Sequence, residues 1–569
     1  MDAYKRPIND IFNGNRVLEI PFFQRAYVWG EDQWERLLED METVSSENKP
    51  YFLGSVILKQ EQTSSFSTHG DKRILIDGQQ RLTSLSILIK VLCMKTNMLH
   101  QFDRTFKLMD DTIALLHNHN DLESFNRVMY LEEFQEMHGA DNITGAFNYF
   151  WKNASEEKLN LGSILRNVMF VGIDLGPEED EQQIFDTINS LGVRLTTAEL
   201  LKNYFFSRDD IENYNTLWKE VFEKDEETKS FWDQAINAGR SKRENIDLFF
   251  YSFLQIKVQE PSLGVSGDDK KTYTRVEGLF EAYKHFINSY SIDKAALIAE
   301  IKEYAILYRK NIDFNAIHRE LNGENMMDRI NTIMFGIETT TIIPYVLFIL
   351  KQVTDKRELH SMLSSLEAFL MRRMVCHATT KNYNQFFTER LIANNIVSTD
   401  ALRKQIATQE GKINYIPTDE ELKVGWHNSK LVNKQALGIL YLMESKIRNQ
   451  AKHSTGLLGL SKYSLEHVMP KKWPNHWSPC SNDEERVNRN RKLLTLGNLT
   501  MLTSSLNTSI RDSNWATKKE GKPNKPGLNK YAAGLDTFSA FLKEETWDES
   551  VIEQRANFLF EQSRAIWPI

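Results

Sequence analysis

Between Tyr463 and Asn507 the chain carries two apolar stretches that constrain it more than any other part of the sequence. The first reads Tyr463-Ser464-Leu465-Glu466-His467-Val468-Met469-Pro470, and the second Leu496-Gly497-Asn498-Leu499-Thr500-Met501-Leu502, with Asn507 nine residues after Asn498. Both are expected to be strands, and Pro470 is compatible with the end of the first. Their embedded polar residues supply a base, an orienting amide and two oxygen ligands.

Those residue types suit phosphodiester hydrolysis. Cutting a nucleic-acid backbone requires a water deprotonated near neutral pH and a cation that neutralises charge on the phosphate and leaving oxygen. A His and a hard metal on oxygen ligands perform that work. His467 is the expected base. Its neighbour Glu466 points to the opposite face if both lie in a strand, so Glu466 is expected to reach the metal from a bend. Asn498, set between leucines in the second strand, is expected to hold the imidazole by a hydrogen bond and fix its tautomer. Asn507 offers a neutral carbonyl to the metal, and the oxygen set favours Mg²⁺ or Mn²⁺.

The E-H-V-x-P, L-G-N-L-T-x-L and N blocks resemble the HNH (ββα-metal) nuclease domain at the C-terminus of GmrSD-type, modification-dependent (type IV) restriction enzymes. A Glu-His pair alone is common surface decoration; the three blocks in order and spacing carry the likeness. The resemblance implies that His467 activates water, Glu466 and Asn507 bind the divalent metal, and Asn498 orients the His. Asn507 departs from the many HNH enzymes with a second His there.

Length and charge fit this outline. A chain of 569 residues exceeds one core, and 41% apolar with 26% charged residues describes an ordinary globular composition. Cys93, Cys376 and Cys480 lie far apart and make neither a disulfide framework nor a zinc site. The most apolar stretches are short and broken by Lys90 and Pro344, so no membrane span is expected. With no signal-peptide pattern at the N-terminus, a cytoplasmic protein is expected. The net charge is −8, yet between residues 461 and 530 thirteen Lys and Arg stand against six acids. A basic module on an acidic body suits phosphate contact by the C-terminal part, and Lys518 and Lys519 are the expected DNA-backbone contacts.

Near the N-terminus, Arg16 to Ile20 is strand-like, and Trp34, Leu37, Leu38 and Met41 fall at helical spacing within 31–43. Between them lie Gln24, Arg25, Tyr27 and Trp29, polar groups among aromatics that need partners if buried. Tyr51 to Leu58 and Arg73 to Ile76 read as neighbouring strands across a polar loop, Gln60 to Asp71. Asp77-Gly78-Gln79-Gln80-Arg81 then opens an apolar helix. A strand, Gly turn and helix N-terminus can bind phosphate, with Arg81 as a paired donor. Asp77 is expected to cap the helix, with a Mg²⁺ ligand as the other reading. A further strand is expected from Asn167 to Ile173, then a helix from Glu181 to Ile188, an Asn189-to-Leu195 turn, and a capping box at Thr196 opening 200–206.

The blocks F-x-Q-R-x-Y-x-W, Y-F-L-G-S, I-D-G-Q-Q-R-L-T and N-S-x-G-x-x-L are similar to the N-terminal domain of the same GmrSD-type proteins. That domain is ParB/sulfiredoxin-like and in characterised members hydrolyses nucleoside triphosphate. The resemblance implies nucleotide binding by Asp77, Gly78, Gln79, Gln80 and Arg81. For Gln24, Arg25, Tyr27 and Trp29 it leaves two roles open, nucleotide contact or sensing of modified DNA.

Residues 207–416 read as helical throughout, with a long loop from Glu260 to Thr272; Ile330, Ile333, Ile337 and Met371 form core stripes, and Cys376 is expected to be a structural thiol. A helix from Leu431 leads into the first motif. His476 is a competing base. The expectation is a predominantly helical α+β protein: a ParB-like domain at 1–206, a helical middle at 207–416 and an HNH nuclease at 417–569. It is expected to cut modified double-stranded DNA of phage origin in a nucleotide-dependent way, with a homo-oligomer left open. The alternatives are a phosphorothioate-stimulated nicking enzyme and a nucleotide-gated DNA-binding protein with an inactive nuclease.

Overall fold

The computed structural model describes residues 2–13, 16–21, 24, 26–61, 71–139, 141–176, 197–206, 210–238, 241–274, 278–408, 413–448, 456–510, 512–531 and 534–569. The expected Glu181–Ile188 helix, the Asn189–Leu195 turn, Thr196, Arg25 and most of the Gln60–Asp71 loop lie outside them. The chain is predominantly helical α+β and divides into two compact units, Met1–Thr216 and Leu217–Ile569.

The first unit is built on a six-stranded mixed sheet. Its strands are β1 (Asp2–Pro7), β2 (Arg16–Glu19), β3 (Tyr51–Gln60), β4 (Asp71–Asp77), β5 (Leu115–Leu116) and β6 (Val168–Leu175), in the order β1-β6-β3-β4-β2-β5. The expected neighbours β3 and β4 pair antiparallel, with Leu58 opposite Leu75. Alternation along β3 sends Val56 and Leu58 into the main core and Ile57 into a small cluster with Ile76, Ile173 and Leu175. Helix α1 (Glu31–Glu47) buries Trp34, Leu37, Leu38 and Met41 on one face, as their spacing requires. Helix α2 (Gln79–Lys95) is buried on almost every side. Even Lys90 is enclosed, its ammonium 4.6 Å from the centre of the Phe102 ring. Burial lowers that amine to about 8. The strand Asp2–Pro7 was not legible, because its polar sequence lacks alternation.

Among the described residues of 207–416 the helical expectation holds except for a short antiparallel pair, Ala235–Ala238 with Ser241–Glu244. The expected loop at Glu260–Thr272 contains a turn of helix at Pro261–Leu263 and most of the helix Gly267–Tyr273, whose N-cap Ser266 accepts from the amide of Asp269. Ile330, Ile333, Ile337 and Met371 are core residues. Burial pushes the Cys376 thiol up to about 12, which leaves little thiolate at neutral pH. Helix α3 (Lys356–Val375) anchors the chain's end: Glu367 accepts from the indole of Trp567 at 2.8 Å, and Arg372 donates to the Trp567 carbonyl at 2.8 Å. Glu367 also pairs with buried Arg329, whose Nε donates to it at 2.8 Å.

Around the two motifs lie α4 (Asn433–Ile447), β7 (Tyr463–His467), β8 (Leu499–Thr503), α5 (Ser504–Ile510), α6 (Trp515–Glu520) and α7 (Glu549–Ile566). Strands β7 and β8 pair antiparallel and α5 follows β8 directly. Helix α4 packs against both strands.

Candidate active site

His467 closes β7, opposite Leu499, while Glu466 faces Thr500 within the regular strand and not at the expected bend. Strand alternation sends Leu465 and His467 to one face and Ser464 and Glu466 to the other. The imidazole is half-buried, and among the described residues none hydrogen-bonds to it. Burial, reinforced by the charges of Lys471 and Lys518, lowers His467 to about 4. It is a neutral imidazole across the physiological range, with both ring nitrogens available.

Asn498 is not where the motif suggested. It sits in the tight turn Leu496–Asn498 before β8, fully buried. Its Oδ1 accepts from the Met469 amide at 2.8 Å and the Trp547 indole at 3.0 Å, and its Nδ2 donates to the carbonyls of Met469 and Leu493, both at 2.9 Å. Two donor hydrogens and two lone pairs are thereby spent. The Asn498 amide therefore fixes the backbone just beyond His467 and not the imidazole itself. Its carbonyl also accepts from the Val468 amide at 3.0 Å.

Gly497 explains itself by close approach: a Cβ there would lie 2.4 Å from the Ile552 carbonyl oxygen of α7. From α7, buried Arg555 donates to the carbonyls of Gly497 at 2.9 Å and Leu499 at 2.7 Å. Burial lowers even this guanidinium, to about 9. Neither Trp547 nor Arg555 stood out in the sequence, since only the fold brings them to the motif.

Glu466 is buried and forms an ion pair with Lys518, whose ammonium also donates to the His467 carbonyl at 2.9 Å. Burial pushes the carboxyl up and the ammonium down, and each charge opposes the other's shift. Lys518 is thus an interior residue: its 0% exposure removes it from the surface on which a DNA backbone would lie. Lys519 is half-buried, donating to the Glu544 carbonyl at 3.2 Å with its charge over the Trp515 ring. Trp515 in turn lies 5.1 Å from Trp547, so α6 braces the residue that holds Asn498.

Asn507, on α5, donates from Nδ2 to Ser464 Oγ at 2.9 Å and to the Leu465 carbonyl at 3.1 Å. It therefore lies on the Ser464–Glu466 face, and among the described residues no donor meets its Oδ1. A buried carboxylate and an open amide oxygen on one strand face match a hard divalent ion in donor chemistry. Among the described residues no three His, Cys, Asp or Glu cluster to hold a metal. An ion here needs phosphate or water oxygens as well, the usual habit of Mg²⁺. His476 and Lys471 are exposed in the loop after β7.

Residues 8–206 match the family model described as GmrSD restriction endonuclease, N-terminal domain, and residues 416–562 match GmrSD restriction endonucleases, C-terminal domain. The chain belongs to the GmrSD restriction endonuclease family. It is a DNA endonuclease of a restriction system. No curated protein matches it. Among the described residues no helix is long and apolar enough to cross a membrane.

The restriction endonuclease carries a second cluster in its first unit. Gly78 is the N-cap of α2 at φ 105°, where a Cβ would meet Val56 Cγ2 at 2.9 Å. Asp77 does not cap the helix as expected. Its carboxylate is taken by Ser55 Oγ at 2.8 Å and by Arg81 at 3.0 Å, one turn along α2. Arg81 also donates to the Ser55 carbonyl at 2.7 Å, and among the described residues its buried Nε has no partner. Gln79 is buried. Gln80 accepts from the amides of Val28 at 2.9 Å and Trp29 at 3.3 Å, so it anchors the aromatic segment.

Of the four residues in that segment, the enzyme uses Tyr27 internally. It is buried, its hydroxyl accepts from the Trp34 indole at 2.8 Å, and it shares a hydrogen bond with Ser84. Gln24 is buried, and among the described residues its Oε1 has no partner. Trp29 and Arg81 come together: both line a cavity of about 340 Å³ with Arg36, Asp40, Tyr51 and Gly54.

Proposed function

We propose that this restriction endonuclease cuts modified foreign DNA, such as that of phage, in a nucleotide-dependent reaction with His467 as general base. The observation that carries the reading is the state of His467: a half-buried, neutral imidazole without a hydrogen-bonding partner, at the end of a strand whose following backbone is locked by Asn498. A neutral imidazole can take a proton from water, and general-base catalysis contributes roughly 10²–10⁴ in rate. A phosphate anion bound beside it favours the protonated form and so strengthens a base that is weak in the free enzyme. Exposed Lys471 is suited to hold that phosphate, as its charge already reaches the ring. The two antiparallel strands followed by a helix are consistent with an HNH site.

Glu466 and Asn507 would hold Mg²⁺ or Mn²⁺. Bound there, on the strand face opposite His467, an ion would neutralise charge on phosphate oxygens that reach that face. In the first unit, the helix N-terminus opened by Gly78, with Arg81 and Trp29 together in the lining of one cavity, supports nucleoside triphosphate binding and hydrolysis by Asp77–Arg81. Cleavage of matched phage DNAs with and without modified cytosine, each with and without nucleotide, tests the reading. Cutting confined to modified DNA and stimulated by nucleotide is expected; equal cutting of both DNAs with no nucleotide response contradicts it.

A further inference from the structure

We infer that the Lys518 ammonium is the resident counter-cation of Glu466 and that a divalent ion gains the carboxylate only by displacing it, so that Lys518 sets the enzyme's affinity for the ion. The inference rests on the reading of Glu466 as an ion ligand. Lys518 and Glu466 are both buried, and their ion pair is formed inside the protein. A carboxylate with an ammonium at contact distance has much of its charge already neutralised, and a second cation placed there meets strong repulsion in a low-dielectric site. Glu466 therefore cannot serve the ammonium and a divalent ion equally.

The displaced ammonium has somewhere to go. Asp512, half-buried in the turn before α6, is a second acid whose charge reaches Lys518. Lys471 belongs to the exposed loop after His467 and acts on that ring. Asn507 lies on the Glu466 face, and among the described residues no donor meets its Oδ1, so it offers a second oxygen to an ion that takes Glu466. The lysine thus has two carboxylates to choose between, and the ion has one buried carboxylate to win. Its bond to the His467 carbonyl ties the same ammonium to the end of β7, so leaving Glu466 also releases the backbone of the candidate base.

Mn²⁺ titration of the full chain, read as free Mn²⁺ by electron paramagnetic resonance, tests this without measuring cleavage. Lys518→Met removes the competitor and should bind Mn²⁺ about tenfold tighter or more than the unmodified enzyme. Lys518→Arg keeps the charge and should not. Asp512→Asn takes away the alternative partner and should weaken binding several-fold, an effect that a purely structural ion pair would not give. Glu466→Gln should abolish the binding in each background.

Because Lys518→Met leaves a buried carboxylate unpaired and risks misfolding, a second measurement uses the unmodified enzyme. Lys518 should resist amine acylation, read by mass spectrometry, and become reactive at saturating Mn²⁺. Glu466-dependent Mn²⁺ binding that is indifferent to Lys518→Met, or that leaves Lys518 protected, overturns the inference while sparing the ion-site reading. Mn²⁺ binding that Glu466→Gln does not change in any background overturns both.

Discussion

The Trp547 indole donates to Asn498 Oδ1 at 3.0 Å, and this bond completes the set that holds the backbone beyond His467. Trp547→Phe removes the donor but keeps most of the ring that packs on Trp515 and Phe538. The loss leaves a buried acceptor short of one bond, at a cost of about 1–3 kcal/mol. A lowered melting temperature should accompany reduced DNA cleavage, with nucleotide hydrolysis unchanged. Cleavage at the unmodified rate in a destabilised protein would separate Asn498 from the positioning of His467.

The state of His467 makes a pH prediction. Its folded value of about 4 lies below the ordinary 6.5, so the unfolded chain binds more protons between those values. Stability must then be fully present above pH 6.5 and fall as pH drops toward 4, by roughly 2–3 kcal/mol from this group. His467→Gln should lack that component. Denaturation midpoints of the two proteins, followed from pH 7 to pH 4, should move closer in the acid direction if the enzyme carries the penalty.

In the first unit, Arg81→Ala should remove nucleotide hydrolysis. It takes away the guanidinium that pairs with Asp77 and lines the cavity. Metal-dependent cutting should persist but lose its response to nucleotide, since coupling between sites is typically about 1–3 kcal/mol, or roughly 5–150-fold. Both activities measured on one preparation check this. Unchanged hydrolysis would mean that the Asp77–Arg81 turn is architecture alone.

Much of this was legible in the sequence, and the failures have physical reasons. Strands β3, β4 and β6 were readable because β-branched and aromatic residues concentrate there, and α1 because Trp34, Leu37, Leu38 and Met41 repeat at helical spacing. The partners of Asn498 were not readable: Trp547 is 49 residues away and is brought to the motif only by packing against Trp515 and Phe538. Lys518 sits in a basic stretch and reads as a surface cation, yet its partner Glu466 lies 52 residues earlier and both are interior. Asp77 next to a helix start reads as a cap, but Ser55 on β3 and Arg81 on α2 claim its oxygens. Local pattern identifies such residues; long-range partners decide what each one does.

The most direct measurement is DNA cleavage by His467→Ala, alongside its melting temperature and nucleotide hydrolysis. The substitution removes the base without opening the core, since the imidazole is only half-buried at a strand end. A folded protein is expected that keeps the proposed nucleotide hydrolysis and has lost cleavage by about 10²-fold or more. Cleavage near the unmodified rate by that folded protein would contradict this expectation.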